Sequence, residues 1–310
     1  MNWQPLASPQ VLRARAQMYQ QIRAFFDRRD ILEVDTPQLL DTTNPDVNIE
    51  SIVVTRGERT SYLQTSPEFA MKRLLASGIG SIYQICHAFR LGEAGGRHNP
   101  EFAMLEWYRV RFDYQQLMDE IEALITELAG AVEFGRISYA QLFARHLEID
   151  ISVISIEDLR QHCAQQVTGC DSSSFSFDQC LDLLLGIKIE PEMRGYQFVY
   201  DYPVSQAALA RVKPDNPQLA ERFELFYNGL ELANGFSELT DENQQRERFE
   251  ADNARRAERG LPVYPVDENL LAALASGLPE CAGVAIGLDR LLMVLLDLES
   301  IDQALSFIDH

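Results

Sequence analysis

One stretch of the chain decides the fold: Cys86-His87-Ala88-Phe89-Arg90-Leu91-Gly92-Glu93, then Arg97-His98-Asn99-Pro100-Glu101-Phe102-Ala103-Met104-Leu105-Glu106-Trp107-Tyr108. Segments 81–89 and 102–112 are typical of strands, and a glycine-rich connection separates them. This pattern predicts an antiparallel pair joined by a long loop. Alternate residues of the second strand share one face, so Phe102, Glu106 and Tyr108 are expected on the same side of the sheet.

A second stretch far along the chain also ends on an arginine: Gly283-Val284-Ala285-Ile286-Gly287-Leu288-Asp289-Arg290. In both stretches the arginine follows a strand-like run, at Arg90 and at Arg290. Arginines fixed in this way offer bidentate contacts that stay charged at every physiological pH, which suits phosphate groups. The two arginines are therefore candidates for binding the phosphates of one nucleotide.

Glu106 is the unusual member of its strand face. A buried strand face rarely holds a carboxylate unless it is paired, so Glu106 is expected to have a cation as its partner. The cation is either the amine of a substrate or a neighbouring arginine such as Arg109 or Arg111. The first interpretation makes Glu106 a binding residue, and the second makes it a structural one.

A third stretch carries two glutamates: Gly229-Leu230-Glu231-Leu232-Ala233-Asn234-Gly235-Phe236-Ser237-Glu238-Leu239. Glu231 and Glu238 would face opposite sides of a straight strand, but a bulge at Asn234-Gly235 would bring them to one side. Two such carboxylates, with phosphate oxygens and waters, suit Mg²⁺. The alternative is an Asn-Gly hairpin turn flanked by two solvated glutamates.

Bulk properties exclude several classes of protein. The net charge is −20, and only three of the 27 Lys and Arg residues are lysines, which disfavours extensive nucleic-acid binding. No run of about 18 apolar residues is present, so no membrane partner is expected. The five cysteines contain no Cys-x-x-Cys pair, and the N-terminus lacks a signal-peptide pattern, so a cytoplasmic location is predicted.

Local signals predict one α+β domain over residues 1–310. Ser8-Pro9 is expected to begin a helix that ends near Arg29, and Ser66-Pro67-Glu68 a second helix. A polar helix is predicted to follow a cap at Thr240, and an apolar helix to close the chain at 291–298. The fold class predicted is an antiparallel sheet flanked by helices.

The two arginine stretches resemble motifs 2 and 3 of the class II aminoacyl-tRNA synthetases, and lysyl-tRNA synthetases match them most closely. The resemblance implies that ATP and an amino acid condense to an aminoacyl-adenylate and pyrophosphate. It implies that Arg90 contacts the α-phosphate and the substrate carboxylate, Arg290 the γ-phosphate, and Phe102 the adenine. The further residues that it assigns to ATP are Gly92, Glu93, His98, Asn99, Glu231, Leu232 and Gly287.

The resemblance also implies an amino-acid pocket. Glu68 would face the substrate ammonium group, although a glutamate at a helix start also has a purely structural role. The pocket residues assigned are Ser66, Glu68, Glu106, Tyr108, Glu238 and Ala285, and Mg²⁺ is assigned to Glu231 and Glu238. Two carboxylates, Glu68 and Glu106, suit a substrate with two amines, which is lysine or β-lysine.

Two positions depart from the synthetase pattern. Gly92 stands where a glutamate usually contacts adenine, so either Glu93 or a backbone group is expected to take over. Ala285 stands where lysyl-tRNA synthetases carry glycine, and its methyl group is predicted to favour β-lysine over α-lysine by shape.

The catalytic pattern starts near residue 10, with no anticodon-binding domain before it. The chain thus resembles a truncated lysyl-tRNA synthetase paralogue that attaches β-lysine to a lysine of elongation factor P, without tRNA as a partner. The alternatives are a minimal lysyl-tRNA synthetase and a non-catalytic paralogue that binds an amino acid or a regulatory partner. The segment around Pro37 resembles motif 1, which implies a homodimer.

Overall fold

The computed structural model of the chain describes residues 3–93 and 95–308. Two compact units divide it: the first comprises Met1–Gly130 with Ser237–His310, and the second comprises Ala131–Phe236. Each unit combines helices with a mostly antiparallel sheet, which confirms the predicted α+β class. The single catalytic domain expected over residues 1–310 stays a prediction.

The described strands, numbered along the chain, are β1 (Leu32–Glu33), β2 (Leu39–Leu40), β3 (Val53–Arg56), β4 (Arg59–Leu63), β5 (Ile82–Phe89), β6 (Glu101–Val110), β7 (Phe134–Ser138), β8 (Tyr196–Pro203), β9 (Leu219–Tyr227), β10 (Leu230–Ser237) and β11 (Cys281–Gly287). The described α-helices are α1 (Pro9–Asp27), α2 (Glu68–Ala76), α3 (Tyr114–Ala129), α4 (Tyr139–Leu147), α5 (Ile156–Gln166), α6 (Phe177–Leu184), α7 (Glu242–Glu258), α8 (Glu268–Gly277) and α9 (Leu288–Leu296). Within residues 3–93 and 95–308, no helix has both the length and the apolar character needed to cross a membrane.

The first unit is organised by the antiparallel pair β5–β6, in which Ile82 lies opposite Tyr108. Strand β11 pairs antiparallel with the other edge of β6, from Cys281 opposite Val110 to Gly287 opposite Met104. Strand β1 runs parallel to β5. This arrangement confirms the predicted strand pair and sets the two arginine stretches on neighbouring strands.

Helix α1 covers this sheet because its apolar residues recur at helical spacing. The Ser8 side chain caps its start by accepting from the Val11 backbone N–H at 3.3 Å, with Pro9 as the first helical residue, as predicted. Phe26 is fully buried, and its ring stacks on Tyr83 of β5 with centroids 4.4 Å apart. This contact fixes the helix against the strand that leads to Arg90.

In the second unit the strand order is β10-β9-β8-β7. Strands β9 and β10 are joined by a two-residue turn, Asn228-Gly229, and both residues have positive φ (48° and 75°), as a type I′ turn requires. A Cβ on Gly229 would lie 2.1 Å from the carbonyl oxygen of Glu190, so glycine is also required there for close packing. Helices α4, α5 and α6, none of which the sequence predicted, cover the sheet with a core that includes Phe143 and Leu181.

Two sequence predictions were wrong in detail. The polar helix α7 is capped by Asp241, whose carboxylate accepts from the Gln244 backbone N–H at 2.9 Å, and not by Thr240. Aspartate is at least as good an N-cap as threonine, and it sits one residue closer to the first helical turn. The second predicted strand ends at Val110 rather than residue 112, because Arg111 adopts a positive φ of 67°.

Candidate active site

Arg90 lies directly after β5 and is held by its surroundings on both sides. Its backbone N–H donates to the carbonyl of Pro100 at 2.9 Å, and its Nε donates to the carbonyl of Thr65 at 3.3 Å. The guanidinium lies 5.2 Å from the centre of the Phe102 ring. The structure therefore brings together the predicted phosphate-binding arginine and the predicted adenine-stacking ring.

A chain of charged contacts connects the two predicted arginines. Arg90 Nη1 lies 3.4 Å from Glu93 Oε1, and His98 Nδ1 lies 3.3 Å from Glu93 Oε2. Arg290 Nη2 in turn lies 2.9 Å from His98 Nδ1. Burial raises the pKa of Glu93, but the hydrogen bond with His98 and the charge of Arg90 outweigh it and lower the pKa. Glu93 thus stays ionised beside Arg90 and the His98 ring.

Three other residues assigned to ATP, Gly92, Asn99 and Gly287, lie in the turns and strand ends around the two arginines. Gly92 has a φ of 82°, which a side chain disfavours, so the glutamate expected there would be strained. The Asn99 side chain donates to the carbonyl of Glu101 at 2.6 Å and fixes the entry into β6. Gly287 is the last residue of β11 and the N-cap of α9, the helix that carries Arg290.

Glu106 forms a buried acidic pocket with Glu68 and Glu238, and only 2% of the Glu106 surface is exposed. The Ser66 hydroxyl donates to its Oε2 at 2.6 Å, and the Tyr108 hydroxyl donates to its Oε1 at 2.6 Å. Burial and the charge of Glu68 nevertheless raise the pKa of Glu106 to about 7. Arg109, the structural partner considered above, instead lies 3.3 Å from Glu120. Glu106 therefore has two hydroxyl donors and favours a cationic ligand.

Lys72 completes this pocket, and sequence reasoning missed it. Its Nζ lies 2.7 Å from Glu68 Oε1 and 2.5 Å from Glu238 Oε2, and 1% of its surface is exposed. Burial lowers the pKa of Lys72, but the two carboxylates outweigh it and raise the pKa above its usual value. Burial also raises the pKa of Glu238, which Lys72 only partly offsets. The signal available in the sequence was the spacing from Glu68 to Lys72, one helical turn.

Gly283 is a second residue that the sequence analysis did not single out. It lies opposite Tyr108 in the β6–β11 ladder. A Cβ there would be 2.3 Å from Tyr108 Cε1 and 2.5 Å from Glu238 Oε1. Ala285, two residues on, lies opposite Glu106 in the same ladder. Tyr108 and Glu238 therefore need a residue without a side chain at position 283, and Ala285 lies beside the strand that carries Glu106.

Glu231 and Leu232 belong to β10 in the second unit. Glu231 is half-buried opposite Phe226, and Leu232 is buried. A register shift lies between Glu231 and Ala233, so the predicted bulge exists but precedes Asn234-Gly235. The hairpin alternative for Asn234-Gly235 is wrong, because both residues are paired inside the strand.

The described residues, 3–93 and 95–308, contain no group of three or more His, Cys, Asp or Glu side chains suited to a metal ion. The five cysteines are free thiols, and Cys170 alone among them is not fully buried.

The chain matches the family model of the class II tRNA synthetases for aspartate, lysine and asparagine (D, K and N) over residues 4–309. It belongs to this class II synthetase family. Two similar relatives are the elongation factor P–(R)-β-lysine ligases of Salmonella dublin and Salmonella heidelberg (strain SL476). Each is 44% identical over 315 aligned residues, which cover 99% of this chain and 97% of the relative. The class II assignment confirms the resemblance inferred from the two arginine stretches.

Proposed function

We propose that this class II synthetase relative is an ATP-dependent ligase. It activates (R)-β-lysine, or lysine, as an aminoacyl-adenylate and transfers the acyl group to a lysine side chain of elongation factor P. The observation that carries this proposal is the acidic pocket, in which Glu68 and Glu238 bind Lys72 while the buried Glu106 has only hydroxyl donors. The similar relatives are elongation factor P–(R)-β-lysine ligases, which supports the same substrate and acceptor.

The pocket chemistry fits a diamino acid. Glu106 is buried beside two hydroxyl donors, and its raised pKa means that a bound ammonium would stabilise its ionised form. Glu68 lies at the start of α2 near the same pocket, linked to it by the Ser66 hydroxyl, which accepts from the Glu68 backbone N–H at 3.0 Å. One ammonium group would bind Glu106, and the second would share Glu68 with Lys72, whose Nζ lies 2.7 Å from Glu68 Oε1.

Arg90 and Arg290 would supply the adenylation chemistry. Arg90 would hold the substrate carboxylate against the α-phosphate, so that a carboxylate oxygen attacks phosphorus and pyrophosphate leaves. Arg290, linked to Arg90 through His98 and Glu93, would hold the γ-phosphate end of the leaving group. Fixed guanidinium groups stabilise charge that develops on phosphate oxygens without reorganising at the moment of reaction. This pairing argues against a non-catalytic paralogue.

The transfer step is an aminolysis. The neutral ε-amine of the acceptor lysine attacks the carbonyl carbon of the adenylate, a C–N bond forms, and the mixed-anhydride C–O bond breaks. AMP leaves, and the amine proton passes to solvent. The same adenylate would serve a tRNA hydroxyl, so the acceptor distinguishes this ligase from a minimal lysyl-tRNA synthetase.

Magnesium is the proposed companion of ATP, with Glu231 and Glu238 as the ligands that the sequence resemblance assigns. Mg²⁺ takes one or two protein carboxylates and completes its shell with phosphates and water, so two glutamates would be sufficient. Its charge would neutralise the phosphates. We expect metal binding to require ATP, and calorimetry with and without ATP measures this.

A homodimer and a cytoplasmic location complete the proposal. Strand β1 is the described edge of its sheet, Leu32 is 50% exposed there, and the segment that follows contains Pro37. Free, mostly buried thiols suit a reducing compartment. Light scattering should give twice the 35.2 kDa chain mass, and a monomer would contradict the motif 1 assignment.

Pyrophosphate exchange across a panel of amino acids tests the proposed activation. Exchange should depend on β-lysine or lysine, and ornithine and norleucine should support much less. Exchange with another amino acid instead would refute the pocket assignment, and no exchange with any amino acid would favour the non-catalytic paralogue.

A further inference from the structure

We infer that Arg15 is a positioning residue of the ATP site, acting through Asp289. Arg15 lies on α1, far from both arginine stretches in sequence. Its Nη2 donates to Asp289 Oδ1 at 2.5 Å, and 2% of the Asp289 side chain is exposed. This role rests on the proposed function, because it concerns the two groups assigned to opposite ends of ATP.

Asp289 joins two elements of the site. It precedes Arg290 in the first turn of α9, and its Oδ2 accepts from the backbone N–H of Ala103 at 2.7 Å. The β6–β11 ladder ends at Met104 of β6, which lies opposite Gly287. Ala103 is the residue of β6 just outside this ladder, between Phe102 and Met104. The carboxylate thus takes the place of the next ladder acceptor. One side chain sets the spacing between the adenine-stacking strand and the helix that carries Arg290.

Arg15 pairs with this carboxylate and orients it. A buried carboxylate is strongly disfavoured without a cation, and the Arg15 guanidinium is the cation in contact with Asp289. The guanidinium is itself fixed: its Nη1 donates to the Tyr19 hydroxyl at 3.1 Å and its Nη2 to the carbonyl of Ala304 at 2.8 Å. A rotation of the Asp289 carboxylate would release Ala103 or tilt the first turn of α9.

The consequence is specific to ATP. The amino-acid pocket is built from other contacts, those of Glu106 with Ser66 and of Lys72 with Glu68, and none of these passes through Arg15. Loss of Arg15 should therefore misplace Phe102 relative to Arg290 while the acidic pocket keeps its geometry. A misplacement of about 1 Å costs on the order of 100-fold in rate.

The test is the Arg15→Met variant, assayed by pyrophosphate exchange, with ATP and lysine or β-lysine varied in turn. We expect the kcat/KM for ATP to fall on the order of 10–100-fold, and the Kd of the amino acid, measured without ATP, to stay within about twofold. Arg15→Lys, which keeps the charge but loses the guanidinium fork, should fall between wild type and Arg15→Met. The control is Arg28→Met at the C-terminal cap of the same helix, since Arg28 pairs with Glu127 at the surface, and it should match wild type.

Several outcomes would overturn this role. Equal losses for ATP and the amino acid would indicate general destabilisation, and unchanged ATP parameters would show that Asp289 needs no partner. If Arg15→Met does not fold, the same comparison of ATP with amino acid in Arg15→Lys decides the question. If wild type exchanges with no amino acid, the proposed function fails, and the Kd of ATP in wild type and Arg15→Lys still tests Arg15.

Discussion

Replacing Glu106 with glutamine should stabilise the empty protein and disable it as an enzyme. The substitution keeps the shape of the side chain and removes its charge. In the empty pocket that charge is unfavourable, because burial and Glu68 raise the pKa of Glu106 to about 7. With a substrate ammonium bound, the same charge becomes the attraction that the proposed mechanism requires.

The magnitude follows from the pKa. A rise from 4.5 to about 7 makes the ionised form less favourable in the folded protein by on the order of 3 kcal/mol. The folded protein then binds the proton more tightly than the unfolded chain, so this destabilisation is absent below about pH 4.5 and complete above about pH 7. A glutamine would lose one good hydroxyl contact, from Ser66 or Tyr108, worth about 1 kcal/mol. At high pH, the free energy of unfolding of the Glu106→Gln variant should therefore exceed that of wild type by about 2 kcal/mol.

Activity should change in the opposite direction. The Glu106→Gln substitution should raise the KM for lysine on the order of 10²–10⁴-fold, because the substrate ammonium would be buried without a carboxylate partner. In wild type, kcat/KM for lysine should rise with pH through about 7, because the substrate binds the ionised form of Glu106. The Glu106→Gln variant should lack this rise.

Urea unfolding without substrate, at about pH 5 and pH 8, measures the first effect, and pyrophosphate exchange measures the second. Glu101→Gln is the matched control, because Glu101 is an exposed glutamate on the same strand, paired with His87. The reasoning would be refuted by a Glu106→Gln protein that is less stable than wild type at both pH values, or by one that activates lysine normally.

The other substitutions each address one part of the site. Arg290→Ala should remove on the order of 3–4 kcal/mol of transition-state stabilisation and so slow adenylation strongly. Near-normal exchange would reject the motif 3 assignment. Gly283→Ala should displace Tyr108, since the added Cβ would lie 2.3 Å from its ring, so the KM for lysine should rise; an unchanged KM would mean that the ladder shifts instead. Glu231→Gln should raise the magnesium concentration needed for half-maximal exchange, and an identical magnesium titration would remove this residue from the metal site. Ala285→Gly should raise the kcat/KM for α-lysine relative to β-lysine by roughly 10–200-fold, and an unchanged ratio would make Ala285 a packing residue only.

Local sequence signals predicted several elements of the first unit. The Ser8-Pro9 start of α1 and the strand pair around Arg90 depend on neighbouring residues, and both were predicted. Strand alternation also led to Glu106 as a buried carboxylate in need of a partner, which is how it lies.

Long-range contacts were beyond the sequence patterns. Lys72 is an ordinary helix residue in sequence, and its role depends on Glu238, which lies far along the chain. The Asn234-Gly235 pair predicted a bulge in β10, but the bulge lies before this pair, where pairing with β9 shifts the register between Glu231 and Ala233. The link from Arg15 to Asp289 spans 274 residues, and no local pattern announces such a contact.

The most direct measurement is intact mass spectrometry of elongation factor P after incubation with this enzyme, ATP and (R)-β-lysine. We predict a single added β-lysyl group on one lysine of elongation factor P, with equal amounts of AMP and pyrophosphate released, and no such addition with Arg90→Ala enzyme. Unmodified elongation factor P, together with lysyl-tRNA formation when tRNA is supplied, would contradict the account and identify the chain as a minimal synthetase.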